Sequence, residues 1–416
     1  MIKGISLRMQ ITLLLLILGC LSACRKSSGP PPTLFSRPDS LSIAALTGSK
    51  DTLSISSSTS WTITTKESWL TLSAGGGNGN GTIVCTAANN VGNPSPRIDT
   101  VIIKAAEARN DTVIITQDAG IVVVVGDSEP GDLIYELNKP YGLYLDALND
   151  VYVADFMNNR VVEWAPGARE GVVVAGNDMG GNGLWLLSNP TAVSVDASGN
   201  VYVTQYENTQ VTKWAPGSTQ GVVVAVDNIT GNGLNQLYNP SAVWVDAHGD
   251  IFMVDHNNNL VVEWAPGATQ GTVVAGNGIA GAGLNQLNAP NGVFVDATGN
   301  VYIGDCGNNR VVKWAPGASE GTIVGGTGVS GTALNQLNCP WGVFLDQTGN
   351  MYFSDNLNNR VMKWGPGETQ GKVVAGNGTY GNALTQLIYP NGLWVDAAGY
   401  IYVSDLGNCR VVRWAQ

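Results

Sequence analysis

From residue 140 onward the hydrophobic and polar positions repeat with a period of fifty. In Pro290–Gly317, "PNGVFVDATGNVYIGDCGNNRVVKWAPG", an apolar run "NGVFVD" is followed by the polar turn "ATGN", a second run "VYIGD", the turn "CGNN" and a third run "RVVKWAPG"; "GTIVGG" follows as a fourth. Near copies start at Pro140, Pro190, Pro240, Pro340 and Pro390. Short runs bounded by Gly, Asn and Asp predict strands, and no stretch carries the 3.6-residue period of a helix. Four antiparallel strands per fifty-residue unit predict one blade of a β-propeller. The last copy stops at "RVVRWAQ" with three strands, while "GIVVVVGD" (Gly120–Asp127) precedes the first proline and matches "EGVVVAGN". Pairing that early strand with the last three closes a ring of six blades and leaves no open sheet edge.

Before the repeats the pattern changes. Between about Ser40 and Gln117 lie seven short alternating runs: "LSIAAL", "DTLSIS", "SWTITT", "WLTLS", "GTIVCTAA", "RIDTVIIKA" and "DTVIITQ". Separated by Gly, Asn and Ser turns, they predict a β-sandwich. The expected organisation is therefore all-β: an address at 1–23, a Pro/Gly/Ser tether at 24–39, an immunoglobulin-like sandwich at 40–119 and a six-bladed propeller at 120–416. With only Gln117 to Gly120 between the last sandwich run and the closing strand, no flexible linker is expected.

The address comes from the first residues. Lys3 and Arg8 precede the apolar run "ITLLLLILGC", which suits a signal h-region and is short for a spanning helix. It ends in "LSAC" (Leu21–Cys24), which resembles the bacterial lipobox and implies cleavage before Cys24, lipidation of that residue and anchoring by acyl chains. Charge narrows the partners. The chain of 416 residues carries a formal charge of -11 with only 13% charged residues and no basic run, so nucleic acid or an anionic membrane surface is not an expected electrostatic partner. Cys85, Cys306, Cys339 and Cys409 follow no metal-ligand spacing; Cys306 and Cys339 could face each other between adjacent repeats.

The sandwich segment, through "SWTITTKESWLTLS", "GGGNGNG", "TAANN" and "VIITQDAG", resembles the BACON domain of Bacteroidota, for which a carbohydrate-binding role is proposed. Trp61 and Trp69 would be its sugar-stacking residues, but each lies in or beside a strand, where a large aromatic is expected to fill the core. The blade text resembles the NHL repeat, with its Pro-x-Gly-Val opening, an Asp ending the second strand and an Asn-Arg pair beyond it: Pro290, Gly292, Val293, Asp305, Asn309 and Arg310.

Positions present in every blade are scaffold before they are chemistry. Trp164, Trp214, Trp264, Trp314, Trp364 and Trp414 each end a third run and are expected to pack. Tyr144, Trp244, Phe294, Phe344 and Trp394 lie in first runs and should wedge between adjacent blades. Asp305 with Arg310, repeated as Asp155/Arg160, Asp355/Arg360 and Asp405/Arg410, should form a charge-assisted pair across a turn. Blade 2 loses both members together, as Gln205 and Gln210, which supports the pairing. Blade 3 keeps Asp255, replaces the arginine with Leu260 and adds His256.

Those departures nominate a site. Second-to-third turns and blade-to-blade loops open on one face, so Tyr206, Glu207, Asp255 and His256 should gather in one sector, with Tyr141, Asn291 and Trp341 near the pore mouth. Some six-bladed propellers, including a lyase family with NHL-like repeats, hold a metal through several histidines. This chain has two, and His248 falls in a first-to-second turn on the opposite face, so neither metal nor cofactor is expected and no catalytic residue is assigned. The expectation is a lipid-anchored outer-membrane protein of the cell envelope, periplasmic or surface-facing, that binds a glycan or peptide. Arg25 and Lys26 stand where surface-exported lipoproteins of Bacteroidota tend to carry acids. The alternatives are an interaction scaffold for an envelope protein and, further off, a metal-dependent lyase or hydrolase using Asp255, Glu207 and His256.

Overall fold

The computed structural model describes residues 31–46, 48–225 and 230–416; the address, Cys24 and the start of the tether lie outside them. The chain divides into two compact units. The first takes the residues up to Ile43, Gly48–Ala88 and Ile98–Thr116; the second takes Ala44–Thr47, Asn89–Arg97 and Gln117–Gln416.

The first unit is built from β1 (Leu34–Arg37), β2 (Ser40–Ile43), β3 (Lys50–Ser57), β4 (Ser60–Thr64), β5 (Leu70–Leu72), β6 (Gly76–Asn78), β7 (Gly81–Ala87), β8 (Arg97–Ala105) and β9 (Asp111–Gln117). They form two sheets, β1-β3-β7-β5 and β2-β9-β8-β4-β6. Period-two alternation turns Leu53, Ile55, Ile83, Val101, Ile103, Val113 and Ile115 into the core. Trp61 and Trp69 are buried in it, as expected of packing residues. The glycine run has a steric cause: a Cβ at Gly77 or Gly81 would lie 2.6 or 2.7 Å from the Trp61 ring, and the Trp61 indole N–H donates to the Gly79 carbonyl at 2.7 Å.

Two strands were not anticipated. β6 is the glycine segment itself, and β1 lies inside the expected tether. The alternation of β1 is inverted: Phe35 is exposed while Ser36 is buried, held by donating its N–H and hydroxyl to the Asp111 carboxylate at 2.5 and 2.6 Å. A hydrophobic pattern cannot reveal a strand fastened by a part-buried carboxylate far away in sequence.

Gln117–Gln416 of the second unit form the six-bladed propeller. Its blades start at Pro140, Pro190, Pro240, Pro290, Pro340 and Pro390, and the first five sheets run in sequence order from the inner first strand outward. Strand β10 (Ile121–Val125) pairs antiparallel with Arg410–Trp414 and completes the sixth blade, as the strand count required. The glycine of Pro-x-Gly-Val is needed because inner strands crowd the axis: a Cβ at Gly292 would sit 2.0 Å from the Trp341 carbonyl oxygen.

Candidate functional site

The turn after each second strand is a fastening device. In four blades the aspartate ending that strand accepts the arginine Nε–H at 2.7–2.8 Å, for example Arg310 to Asp305, so the predicted pairs are present. Its other contacts are the backbone N–H two residues before the blade's proline (Asn288, 2.8 Å) and the asparagine three residues on (Asn308, 2.8 Å). The arginine reaches further than sequence spacing suggests: Arg310 also donates to the carbonyls of Ala282, Gly283 and Gln286 at 2.8–3.0 Å, in the loop entering its own blade. Where an asparagine precedes it, at Asn159, Asn309 and Asn359, that residue adopts the left-handed conformation and accepts the N–H of the loop entering the next blade, as Asn309 does from Cys339 at 3.1 Å. Each Asn-Arg pair thus ties two loops to one turn. In blade 2, Gln205 takes over the acceptor role toward Ser188 and Asn208 and donates to Thr212.

The nominated residues only partly converge. Tyr141 stacks on Phe156 at 4.5 Å and meets Trp341 edge-on at 5.7 Å, so two half-buried aromatics lie across the mouth. Burial raises the Tyr141 phenol above its ordinary pKa, and Tyr206 nearby adds to the effect. Below, Thr191, Ser241 and Trp341 line a chamber of only about 70 Å³, room for a few waters and not for a sugar ring. His256 Nδ1 lies 2.9 Å from the Pro290 carbonyl, beside the buried Asn291. Asp255 is buried within its blade, bonded to the Tyr238 N–H and Asn258 at 2.8 Å, and does not reach the mouth; Glu207 is exposed. Cys306 and Cys339 form a disulfide between the blade 4 turn and the loop entering blade 5.

The first-to-second-turn face carries what the sequence did not disclose. Phe294 packs on Trp244 (4.5 Å) and Phe344 (5.4 Å), and Trp394 on Phe344 (4.9 Å) and Tyr144 (4.5 Å), which is the expected wedging between neighbours. Trp244 also stacks on Trp394, three blades away, at 6.0 Å, so the side chains form one layer across the axis. Above it Trp244, Phe294 and Tyr302 with Asp246, Asp296, Asp346, Gln347 and Lys313 line a depression of about 760 Å³ between blades 3, 4 and 5. Burial pushes these aspartates up, but hydrogen bonds outweigh it, at Asp296 from Asn300 and Thr298, and hold all three below the ordinary carboxylate value. The rim is therefore anionic at neutral pH.

At its lip Asp246, His248 and Asp250 bring potential metal-ligand atoms within 4.8 Å of one another. Two histidines on opposite faces gave no sign of this single-histidine group in the sequence. Asp246 Oδ1 already accepts the N–H groups of His248 and Asp250 at 2.8 and 2.9 Å, which serves the turn.

Residues 59–118 match the BACON family, described as "Putative binding domain, N-terminal", and residues 287–314 match the NHL repeat. The chain carries a BACON domain and an NHL-repeat propeller. No curated protein matches the sequence significantly. Among solved structures, a Bacteroides thetaiotaomicron protein described as of unknown function is 15% identical, aligned over 94% of this chain and 99% of its own, with a TM-score of 0.57. An auxiliary nutrient binding protein from the same organism is 12% identical over 92% of this chain and 97% of its own, with a TM-score of 0.54. At such identities these relatives share the fold of the BACON and NHL units and nothing finer.

Proposed function

We propose that this chain is a non-catalytic, lipid-anchored binding protein of the cell envelope that takes a glycan in the depression between blades 3, 4 and 5. The observation carrying this reading is the depression itself. Half-buried Trp244 offers aromatic surface and exposed Gln347 a polar partner within one cleft of about 760 Å³, whose walls include the largely buried Phe294 and Tyr302 and the carboxylates of Asp246, Asp296 and Asp346. Pyranose rings stack their C–H faces on aromatic rings and donate hydroxyls to such acceptors. The face nominated from sequence is less suited, because the chamber below Tyr141 and Trp341 holds only about 70 Å³.

The anchor rests on Lys3, Arg8, the apolar run and Leu21–Cys24. The Cys306–Cys339 disulfide suits an oxidising compartment outside the cytoplasm. A nutrient-binding protein of the same fold is a precedent for such use. The test is a glycan-array screen of the full chain beside Trp244→Ala, Gln347→Ala and a His256→Ala/Trp341→Ala double variant. Binding weakened in the first two and kept in the third supports the reading; the reverse pattern returns the site to the predicted mouth. No glycan binding at all would favour an envelope-protein partner, to be sought by pull-down.

A further inference from the structure

Blade 3 keeps the acceptor contacts of the other blades without their arginine. Asp255 pairs with Leu260 in the register in which Asp155, Asp305, Asp355 and Asp405 pair with arginine. The rest of the apparatus is unchanged. Asp255 accepts the Tyr238 N–H and the Asn258 amide as its counterparts do, and Asn258 donates to the Gly231 carbonyl at 2.7 Å as Asn158 does to Gly131. The entering loop keeps its geometry through the Thr230–Leu237 bridge and the Gln236 N–H to Gly233 carbonyl bond, matching Pro130–Leu137 and Glu136 to Leu133. Asn232, Gly233 and Gln236 thus hold the carbonyl places that Arg310 bonds in blade 4 at Ala282, Gly283 and Gln286.

Leucine ends at the carbon where an arginine side chain continues into its guanidinium. Beside Leu260 a cavity of about 580 Å³ opens, lined by Asn232, Leu234, Asn257, Asn258, Val273 and Asn277 among others, while Asp255 is buried and outside its lining. Leu260 itself is part-exposed, whereas the four arginines are buried. Blade 2 offers no such vacancy, since Gln205 is neutral and bonds Thr212.

We propose that this notch binds an alkylguanidinium group, as carried by an arginine side chain, between the Asp255 carboxylate and the carbonyls of the 232–236 loop. A planar fork of N–H donors fits one carboxylate oxygen and several carbonyls at once, which a compact ammonium does not. The site is separate from the glycan depression and stands or falls independently of it. The test titrates the full chain with N-ethylguanidinium, with N-ethylammonium in parallel, by calorimetry and by thermal shift. Saturable binding is expected for the guanidinium, weaker for the ammonium, and reduced roughly tenfold or more in Asp255→Asn, which removes the charged acceptor. Leu260→Arg should abolish binding by supplying the group in cis, while Leu260→Ala should retain it. A capped Gly-Arg-Gly tripeptide that binds more tightly than the small probe would identify a polypeptide source, and equal binding a small guanidino compound. No saturable binding to the unaltered chain, or equal binding to Leu260→Arg, would overturn the assignment.

Discussion

Converting blade 5 into a copy of blade 3 measures what the fastening arginine contributes. In Arg360→Leu the Nε–H bond to Asp355 at 2.7 Å is lost together with those to the carbonyls of Thr332, Ala333 and Gln336 at 2.8–3.2 Å. Removing one partner of a buried ion pair costs about 3–5 kcal/mol, because the remaining charge stays desolvated. Two features place this variant toward the lower end, about 3 kcal/mol. Asp355 keeps its bonds from the Asn338 N–H and Asn358, and it can escape the charge by taking a proton.

That escape sets a pH dependence. Burial already raises the Asp355 carboxyl, while Asn358, Arg360 and the Asn338 N–H lower it. Without Arg360 it rises further, so the folded variant binds a proton at pH values where the unfolded chain does not. Stability of the variant relative to the parent then falls as pH rises through that raised value, and the deficit is larger at pH 8 than at pH 5. Urea unfolding followed by tryptophan fluorescence at both pH values, reading the propeller transition by itself, gives the two deficits. A deficit below about 1 kcal/mol at pH 8 would refute the account, since a buried, uncompensated carboxylate cannot be so cheap. So would a larger deficit at pH 5.

The reverse substitution, Leu260→Arg, should stabilise by about 1–2 kcal/mol net of arginine desolvation and raise the propeller melting temperature by roughly 2–4 °C, read by calorimetry. Asp255, which burial pushes up to about 6 against the bonds from Asn258 and Tyr238, binds a proton in the folded state that it releases when unfolded; its contribution to stability therefore declines as pH rises from about 4 to 6, and Asp255→Asn should flatten that part of the stability-pH curve. Replacing Cys306 and Cys339 with serine removes a cross-link spanning 33 residues, and the chain-entropy model gives a loss of about 3–4 kcal/mol in equilibrium unfolding. Trp244→Ala should weaken glycan affinity by roughly tenfold or more by removing a stacking surface, as measured by calorimetry on the best array ligand.

Much of the fold was legible because its determinants are close in sequence. Strand, turn and strand within a blade span a few tens of residues, and the Asp-Arg pair spans five, so periodicity revealed the blades, the closing strand and the pairing. The same locality identified Trp61 and Trp69 as core residues and drew attention to blade 3 through Asp255 and Leu260. What it could not show is β1, whose buried side is a serine held by Asp111 from 75 residues away.

The choice of face was decided in three dimensions. Sequence repeats assign every blade the same strands, but the axis is filled by residues 50, 150 or 200 positions apart. Tyr141 reaches Trp341 and obstructs one mouth, while Trp244 stacks on Trp394 and floors the other. Whether an aromatic in a first strand exposes its ring or spends it on a neighbour depends on what the opposite blades place there. The sequence alone determined six blades, their closure and the blade that breaks the rule, because hydrogen-bonded strands and turn chemistry are local. The ring's closure across its axis determined which end stays open, and the cavity beside Leu260 in blade 3 exists only because the segments around Asn232, Asn257 and Asn277 come together there.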